Sequence, residues 1–445
     1  MRNRYLEGNF GPVTDEVTVA DLSVTGELPG WLDGRYLRNG PNPIGADPAT
    51  YHWFTGFGMV HGLRLRDGKA QWYRNRYVRG DDVAAALGEA PRGGAEIHFA
   101  DFAANTNVIG QAGRTFAIVE AGGRPYELDD ELETIGRCDF DGTLPGGYTA
   151  HPKLDPESGE LHAISYYWGW GNQVQYTVID RDAHVRKIVD IATTGSPMLH
   201  DMSLTEKYAV VYDLPVVFDA EMAMSGSGLP YKWDNDYPAR IGLLPRDGGA
   251  DDVKWFDVEQ CYVFHPMNAY DDGDRVVIDV VRHPKMFATD MHGPNEGLPT
   301  LDRWTVDIPA GKVLEERLDD LGQEFPRVDE RLVGRRHRYG YAVAAGLDRS
   351  GDIDFGGNAL LRHDMASGET QSHAFGARRG GGEFVMVPSS PDAAEDDGVL
   401  MGLVYDGNRD ASDLVLLDAS TLETVAEVHL PVRAPYGFHG NWVTS

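Results

Sequence analysis

The feature that most narrows the folds open to this chain returns along its whole length. It is an alternating apolar run, a short polar turn, and a second alternating run. RLRDGKAQWYRNRYV turns at Asp67-Gly68, HPKLDPESGELHAISYY near Ser158-Gly159, RWTVDIPAGKVLEERL near Ala310-Gly311, ALLRHDMASGETQSHAF near Ser367-Gly368 and LVLLDASTLETVAEVHL near Ser420-Thr421. Glycine reaches the left-handed dihedrals that tight hairpins demand, so Asp-Gly and Ser-Gly between period-two runs mark hairpins. The hairpins come every roughly 40–60 residues, a spacing typical of propeller blades. The repeats have diverged too far for the blades to be counted from them, and a pair of packed sheets is the alternative. Helical signals are few: Asp81 to Ala90, and Asp219 to Gly226 within the apolar, glycine-punctuated segment Leu214 to Trp233. That segment reads either as a lid at an entrance or as an ordinary packed insertion. No low-complexity linker interrupts the chain, so residues 1–445 are read as one domain.

Composition excludes several function classes. Lys and Arg total 40 against 70 Asp and Glu, a formal charge of −30, which argues against nucleic acid and against charge-driven binding to an anionic membrane. The two cysteines, Cys138 and Cys261, stand in strand-like runs and read as buried thiols. The first residues show no apolar signal region, and no run approaches the roughly 18 apolar residues of a membrane span. A cytoplasmic protein is expected.

Fifteen histidines are present. His162, His184, His337, His363 and His429 lie in polar hairpins and are expected at the surface. Four others stand in YTAHPKLDP, SPMLHDMSLTE, YVFHPMNAY and YGFHGNWV, as His151, His200, His265 and His439. Each follows apolar or small residues, and three are followed at once by Pro or Gly, which ends a strand. Imidazoles at strand ends of different blades would meet on a propeller axis. Each alone is unremarkable; the set reads as a metal site. Imidazole suits zinc, copper, iron and nickel. Catalytic zinc usually keeps three protein ligands, whereas four neutral ligands in a roomy pocket suit Fe(II) and leave positions open for O2. A ligating imidazole needs a partner for its other ring nitrogen. Glu120 in RTFAIVE, Glu324 in LGQEFPRVD and Glu383 in GGEFVMVP occupy apolar settings where an unpaired carboxylate would be costly. Each alone also reads as an ordinary salt-bridged glutamate.

With these residues in place the chain resembles the carotenoid cleavage oxygenase family from about residue 24 to the C-terminus. The resemblance is carried by GELPGWLDGRYLRNGPNP, HWFTGFGMVHGLRLRDG, ANTNV, VEAGGRPYELD, TAHPKLDP, HDMSLTEKYAVVYDLP, FHPMNAYDDGDRVVIDVVRHP, EFPRVDERLVGRRHRYGY, SSPDAAEDDGVL and FHGNWV. It implies an all-β, seven-bladed propeller with a dome of loops and helices over the iron face. It implies Fe(2+) on the four histidines, with Glu120, Glu324 and Glu383 orienting three of them and His151 lacking a Glu partner. Thr106 would sit near the open metal position, and Phe54 and Phe264 would line a substrate tunnel. One departure is visible: Phe57 replaces an Asp common in relatives. That either removes a turn hydrogen bond or adds an aromatic ring near the tunnel.

The resemblance further implies a dioxygenase that cleaves a conjugated C=C bond with O2 into two carbonyl products. Phenol-cleaving relatives carry a Lys immediately before the first of these glutamates, where this chain has Val119. A valine cannot stabilise a phenolate, so an apolar apocarotenoid or carotenoid is expected over a stilbene or other lignostilbene-type phenol. Retinoid isomerisation and a non-catalytic scaffold are the remaining readings. A lipid-borne substrate also implies peripheral membrane contact, with Leu214 to Trp233 the candidate segment.

Overall fold

The structure is a computed structural model that describes residues 2–96, 101, 103–293, 295–347, 353–354 and 356–445. Among the described residues, seven antiparallel sheets of four to six strands follow one another along the chain, with two additional two-stranded hairpins. Every expected hairpin forms. Asp67-Gly68 joins Gly58–Arg66 to Lys69–Tyr77, and Ala310-Gly311 joins Thr300–Asp307 to Lys312–Asp319. Gly68 and Gly311 take φ of 67° and 65°, the dihedrals for which the turns require glycine.

The seven sheets are the blades of a propeller. Their first strands touch in turn around one axis: Ser203–Leu204 against Tyr262–Asp272, that strand against Gln323–Arg327, Val385–Pro388 against Gly440–Thr444, and the last against Asn107–Gln111. Two sheets combine distant parts of the chain and close the ring. Gly440–Thr444 pairs with Gly34–Pro41, and Val24–Gly26 pairs with Thr424–His429. Closure packs the first and last blades against their neighbours, so no blade face is left open at the ends of the array.

Blade-to-blade packing explains why strands differ in pattern. A middle strand such as Gly58–Arg66 is buried on nearly every residue, because neighbouring blades cover both faces. An outermost strand such as Val185–Ala192 alternates half-buried and exposed positions. Large rings seal the blade interfaces; Trp304 is fully buried, its ring centroid 6.2 Å from that of Tyr212 in the preceding blade.

Local departures from the sequence reading have simple causes. The first helix spans Asp81–Leu87 rather than reaching Ala90, because Gly88 takes a left-handed φ of 71° and ends it. The second spans Ala220–Met224, capped by the Asp219 side chain. It lies between Val216–Phe218 and Tyr231–Trp233, which pair as a hairpin. Cys138 and Cys261 are buried free thiols. No described helix is long and apolar enough to cross a membrane.

Three histidines expected at the surface are buried: His162, His337 and His363. Polar hairpin sequence did not expose them, because each finds a partner inside. His162 Nδ1 meets the Tyr176 hydroxyl at 2.6 Å, His337 Nε2 is 3.4 Å from Asp279, and His363 Nε2 meets Gln323 Oε1 at 2.8 Å. His184 is exposed as expected. His429 is half-buried on Asp413.

Candidate metal centre

His151, His200, His265 and His439 are all buried, and one ring nitrogen from each lies within 4.8 Å of those of the other three. Their placement corrects the expectation that they end strands. His151, His200 and His439 precede the first strands of their blades, Lys153–Leu154, Ser203–Leu204 and Gly440–Thr444. His265 lies inside Tyr262–Asp272, at an irregularity where the pairing register shifts on either side of Pro266. Proline has no N–H for the ladder, so the strand bulges there and continues.

The glutamates fix the rings. Nδ1 of His200 donates to Glu120 at 2.8 Å, Nδ1 of His265 to Glu324 at 2.6 Å, and Nδ1 of His439 to Glu383 at 2.9 Å. His151 makes no such bond; its Nδ1 is 3.7 Å from Asp201, which is held by Lys153 at 2.8 Å. With Nδ1 protons committed to carboxylates, the Nε2 lone pairs face the axis. Nε2 of His200 and of His265 approach to 3.2 Å, and buried His151 Nε2 has no hydrogen-bond partner among the described residues. Facing lone pairs repel unless a cation or a proton lies between them. Burial, reinforced by the neighbouring histidines, pushes His151 well below the usual imidazole range. Burial likewise lowers His265 to about 3, against the pull of Glu324. For His200 burial is outweighed by the charge and hydrogen bond of Glu120, so its pKa is raised. Four neutral-capable imidazoles backed by three carboxylates fit a divalent transition metal. A second group, Asp413, Glu427 and His429, is within metal-binding reach. Arg379 and Arg409 already saturate it.

An apolar cavity opens over one side of the histidines. It and its mouth enclose about 940 Å³, with Thr106, Val119, Phe54 and Phe264 among the lining residues. These four residues therefore border one cavity beside the histidines. Phe264 meets His200 edge-to-face at 5.1 Å, and Phe54 meets Phe264 at 5.9 Å. The far side of the histidines faces a polar space of about 730 Å³ along the axis, bordered by Lys153, Asp201, Asn268 and Arg327.

Residues 10–444 match the family described as retinal pigment epithelial membrane protein, RPE65. A carotenoid cleavage oxygenase of Mycobacterium tuberculosis is 49% identical, over 99% of this chain and 97% of that protein. The chain belongs to the RPE65/carotenoid cleavage oxygenase family. The carotenoid 9,10(9',10')-cleavage dioxygenase 1 of Phaseolus vulgaris is 33% identical over 100% of this chain and 90% of its own length. Among solved structures, Pseudomonas brassicacearum lignostilbene dioxygenase superposes with a TM-score of 0.89 at 29% identity, covering 99% and 98% of the two chains. Cobalt-substituted Synechocystis ACO, an apocarotenoid oxygenase, gives 0.87 at 28% identity, covering 98% and 97%.

Within this family fold, several residues at the site escaped the sequence reading. Asn105 donates to the carbonyls of Phe54 and Gly56 at 2.9 and 2.6 Å and holds the Phe54 turn against the cavity. Phe325 stacks on His265 at 5.6 Å, and Phe438 packs on Phe54 at 5.7 Å. Arg327 meets Glu383 at 3.1 Å. His283 meets Glu324 at 2.8 Å. Only His283 carried a usable signal: VVRHP repeats the pattern of an apolar run, His and Pro. Phe57 is not on the cavity wall; it packs beside Met59, Tyr77 and Val83, and its carbonyl accepts from the Asn42 N–H at 2.6 Å.

Proposed function

We propose that this chain is a non-haem Fe(II) dioxygenase that cleaves a conjugated C=C bond of an apocarotenoid or carotenoid with O2. The observation that carries the reading is the junction of a four-histidine, three-glutamate centre with an apolar cavity of about 940 Å³. In this reading His151, His200, His265 and His439 hold the metal, while Glu120, Glu324 and Glu383 set ring orientation and offset its charge. When bound, the ion would supply O2 activation beside the polyene. The protein supplies placement and exclusion of water. Phe54 and Phe264 present ring edges and faces to a flat conjugated chain, and Val119 keeps the wall apolar. Thr106 lines the same cavity, its hydroxyl turned to Asn105 Oδ1 at 2.9 Å, and in this reading it lies beside the open side of the centre. Residues 1–445 act as one domain in this reading, supported by the closure of the ring through Gly440–Thr444.

The test is incubation of the Fe(II)-loaded protein with apocarotenals, β-carotene and 4-hydroxystilbenes under isotopically labelled O2. Products are identified by mass. Labelled aldehydes from polyenes are expected. Faster cleavage of the stilbene would overturn the substrate assignment in favour of the phenolic reading, which the likeness to lignostilbene dioxygenase favours. Product without label would overturn oxygenation.

A membrane-skimming cytoplasmic protein fits the same substrate. The hairpin that brings Gly228 and Leu229 to the cavity also bears Met224, 81% exposed. Next to it Trp168, 44% exposed, stacks on Phe218 at 5.2 Å. Liposome flotation of the protein with Met222 and Met224 changed to Ser should show weaker association; unchanged flotation refutes this contact.

A further inference from the structure

We propose that His283 is a positioning residue of the metal centre, acting through Glu324. This rests on the metal-centre reading above and adds a member to it. His283 ends the strand Arg275–His283, directly opposite Tyr262 on the strand that carries His265. Glu324 comes from the next blade, on Gln323–Arg327. Its carboxylate therefore spans a blade boundary. One oxygen, Oε2, accepts from His265 Nδ1 at 2.6 Å and from the backbone N–H of Phe325 at 2.5 Å. The other, Oε1, faces His283 Nε2 at 2.8 Å. A carboxylate only accepts, so His283 Nε2 must carry the proton and donate it. His283 is fully buried, and its Nδ1 has no hydrogen-bond partner among the described residues. It also stands outside the four-histidine cluster. Among the described residues the ring thus has one polar contact, Glu324.

The physical consequence concerns rotation. A buried carboxylate held from one side can turn about its last bond, and that turn releases His265 from the orientation that aims Nε2 at the axis. Donors on both oxygens prevent it. The backbone cooperates: Phe325 has a left-handed φ of 54°, and the pairing register shifts between Glu324 and Arg327. Glu324 is turned inward by that irregularity, and the Phe325 ring is laid over His265. Glu383 shows the same construction with a different donor, its second oxygen meeting Arg327 at 3.1 Å and the Gly440 N–H at 2.9 Å. His283 is the imidazole counterpart of that arginine.

The experiment compares the parent full-length protein with His283→Gln, His283→Asn and His283→Leu. The Gln amide nitrogen reaches where Nε2 stood; the shorter Asn amide falls short, and Leu has no donor. Co(II) affinity is measured against a competing chelator, together with the Co(II) d–d spectrum and the thermal unfolding of metal-free protein. Loss of an outer partner of a ligand weakens metal binding by about 10–100-fold. About 10-fold weaker binding and a shifted d–d band are therefore expected for Asn and Leu, with Gln near the parent. A packing role alone would track side-chain volume and unfolding temperature, which groups Leu with Gln and sets the smaller Asn apart, whereas a donor role groups Leu with Asn. If Leu fails to fold, the d–d band of Asn decides, since a merely smaller side chain lowers the unfolding temperature and leaves the band in place. Equal affinity and equal spectra for Gln and Asn overturn the proposal while leaving the metal reading intact. A parent protein that binds no Co(II) overturns both.

Discussion

Replacing Arg327 by methionine tests the electrostatic frame of the site. Arg327 Nη1 lies 3.1 Å from Glu383 Oε2, with the two side chains 14% and 3% exposed. Methionine keeps the apolar stem and strands the carboxylate in the interior. Removing one partner of a buried pair costs about 3–5 kcal/mol, because the remaining charge keeps its desolvation penalty. The titration of Glu383 leads to a similar size. Burial raises this carboxyl, but the charge of Arg327, followed by His439, outweighs it and brings the value from 4.5 to about 2. Such a displacement corresponds to about 3 kcal/mol in favour of the folded state at neutral pH. The sign is that of a depressed acid: the contribution is whole above the unfolded value of 4.5 and is lost as pH falls toward about 2. The Gly440 N–H and His439 Nδ1, both at 2.9 Å, remain as donors in the variant. They place the expected loss at the low end, about 3 kcal/mol. Adding Glu383→Gln to Arg327→Met removes the stranded charge and should return part of that loss. The assay is urea unfolding of metal-free protein at pH 7 for the parent, both single variants and the double variant. An Arg327→Met protein within about 0.5 kcal/mol of the parent, the range of ordinary surface substitutions, would refute the reasoning. So would a double variant no more stable than Arg327→Met alone.

Three further outcomes are expected. His151→Ala removes the one cluster histidine without a glutamate partner, and the variant should lose most of its metal on dialysis, read by elemental analysis, while its metal-free fold persists in circular dichroism. Asn105→Ala leaves the buried carbonyls of Phe54 and Gly56 unpaired, at about 1–3 kcal/mol each; the loosened wall should raise KM for a polyene more than it lowers kcat. Val119→Lys places a cation beside Glu120 on the cavity wall, and the rate on a 4-hydroxystilbene relative to an apocarotenal should rise by about tenfold in steady-state assays, the scale of one altered pocket contact.

Hairpin chemistry made the architecture legible, because a turn such as Asp67-Gly68 is a local requirement that a few residues satisfy alone. The four histidines and three glutamates were legible for a related reason. A carboxylate or imidazole inside an apolar run is costly unless partnered, so its presence in the sequence already announces a partner. The pairings were not written locally. Glu324 shares itself between His265 and His283 because the register shift before Arg327 and the left-handed Phe325 turn it across a blade boundary. His162, His337 and His363 looked exposed in polar hairpins, and their burial depends on tertiary partners: Tyr176 and Gln323 come from other strands of the same blades, and Asp279 from the preceding blade. The chain's one-dimensional order thus sets where strands turn and which side chains need company. Only closure of the ring, with Gly440–Thr444 seated on Gly34–Pro41, decides what that company is, since contacts across an axis join residues whose separation in sequence carries no information about their distance in space.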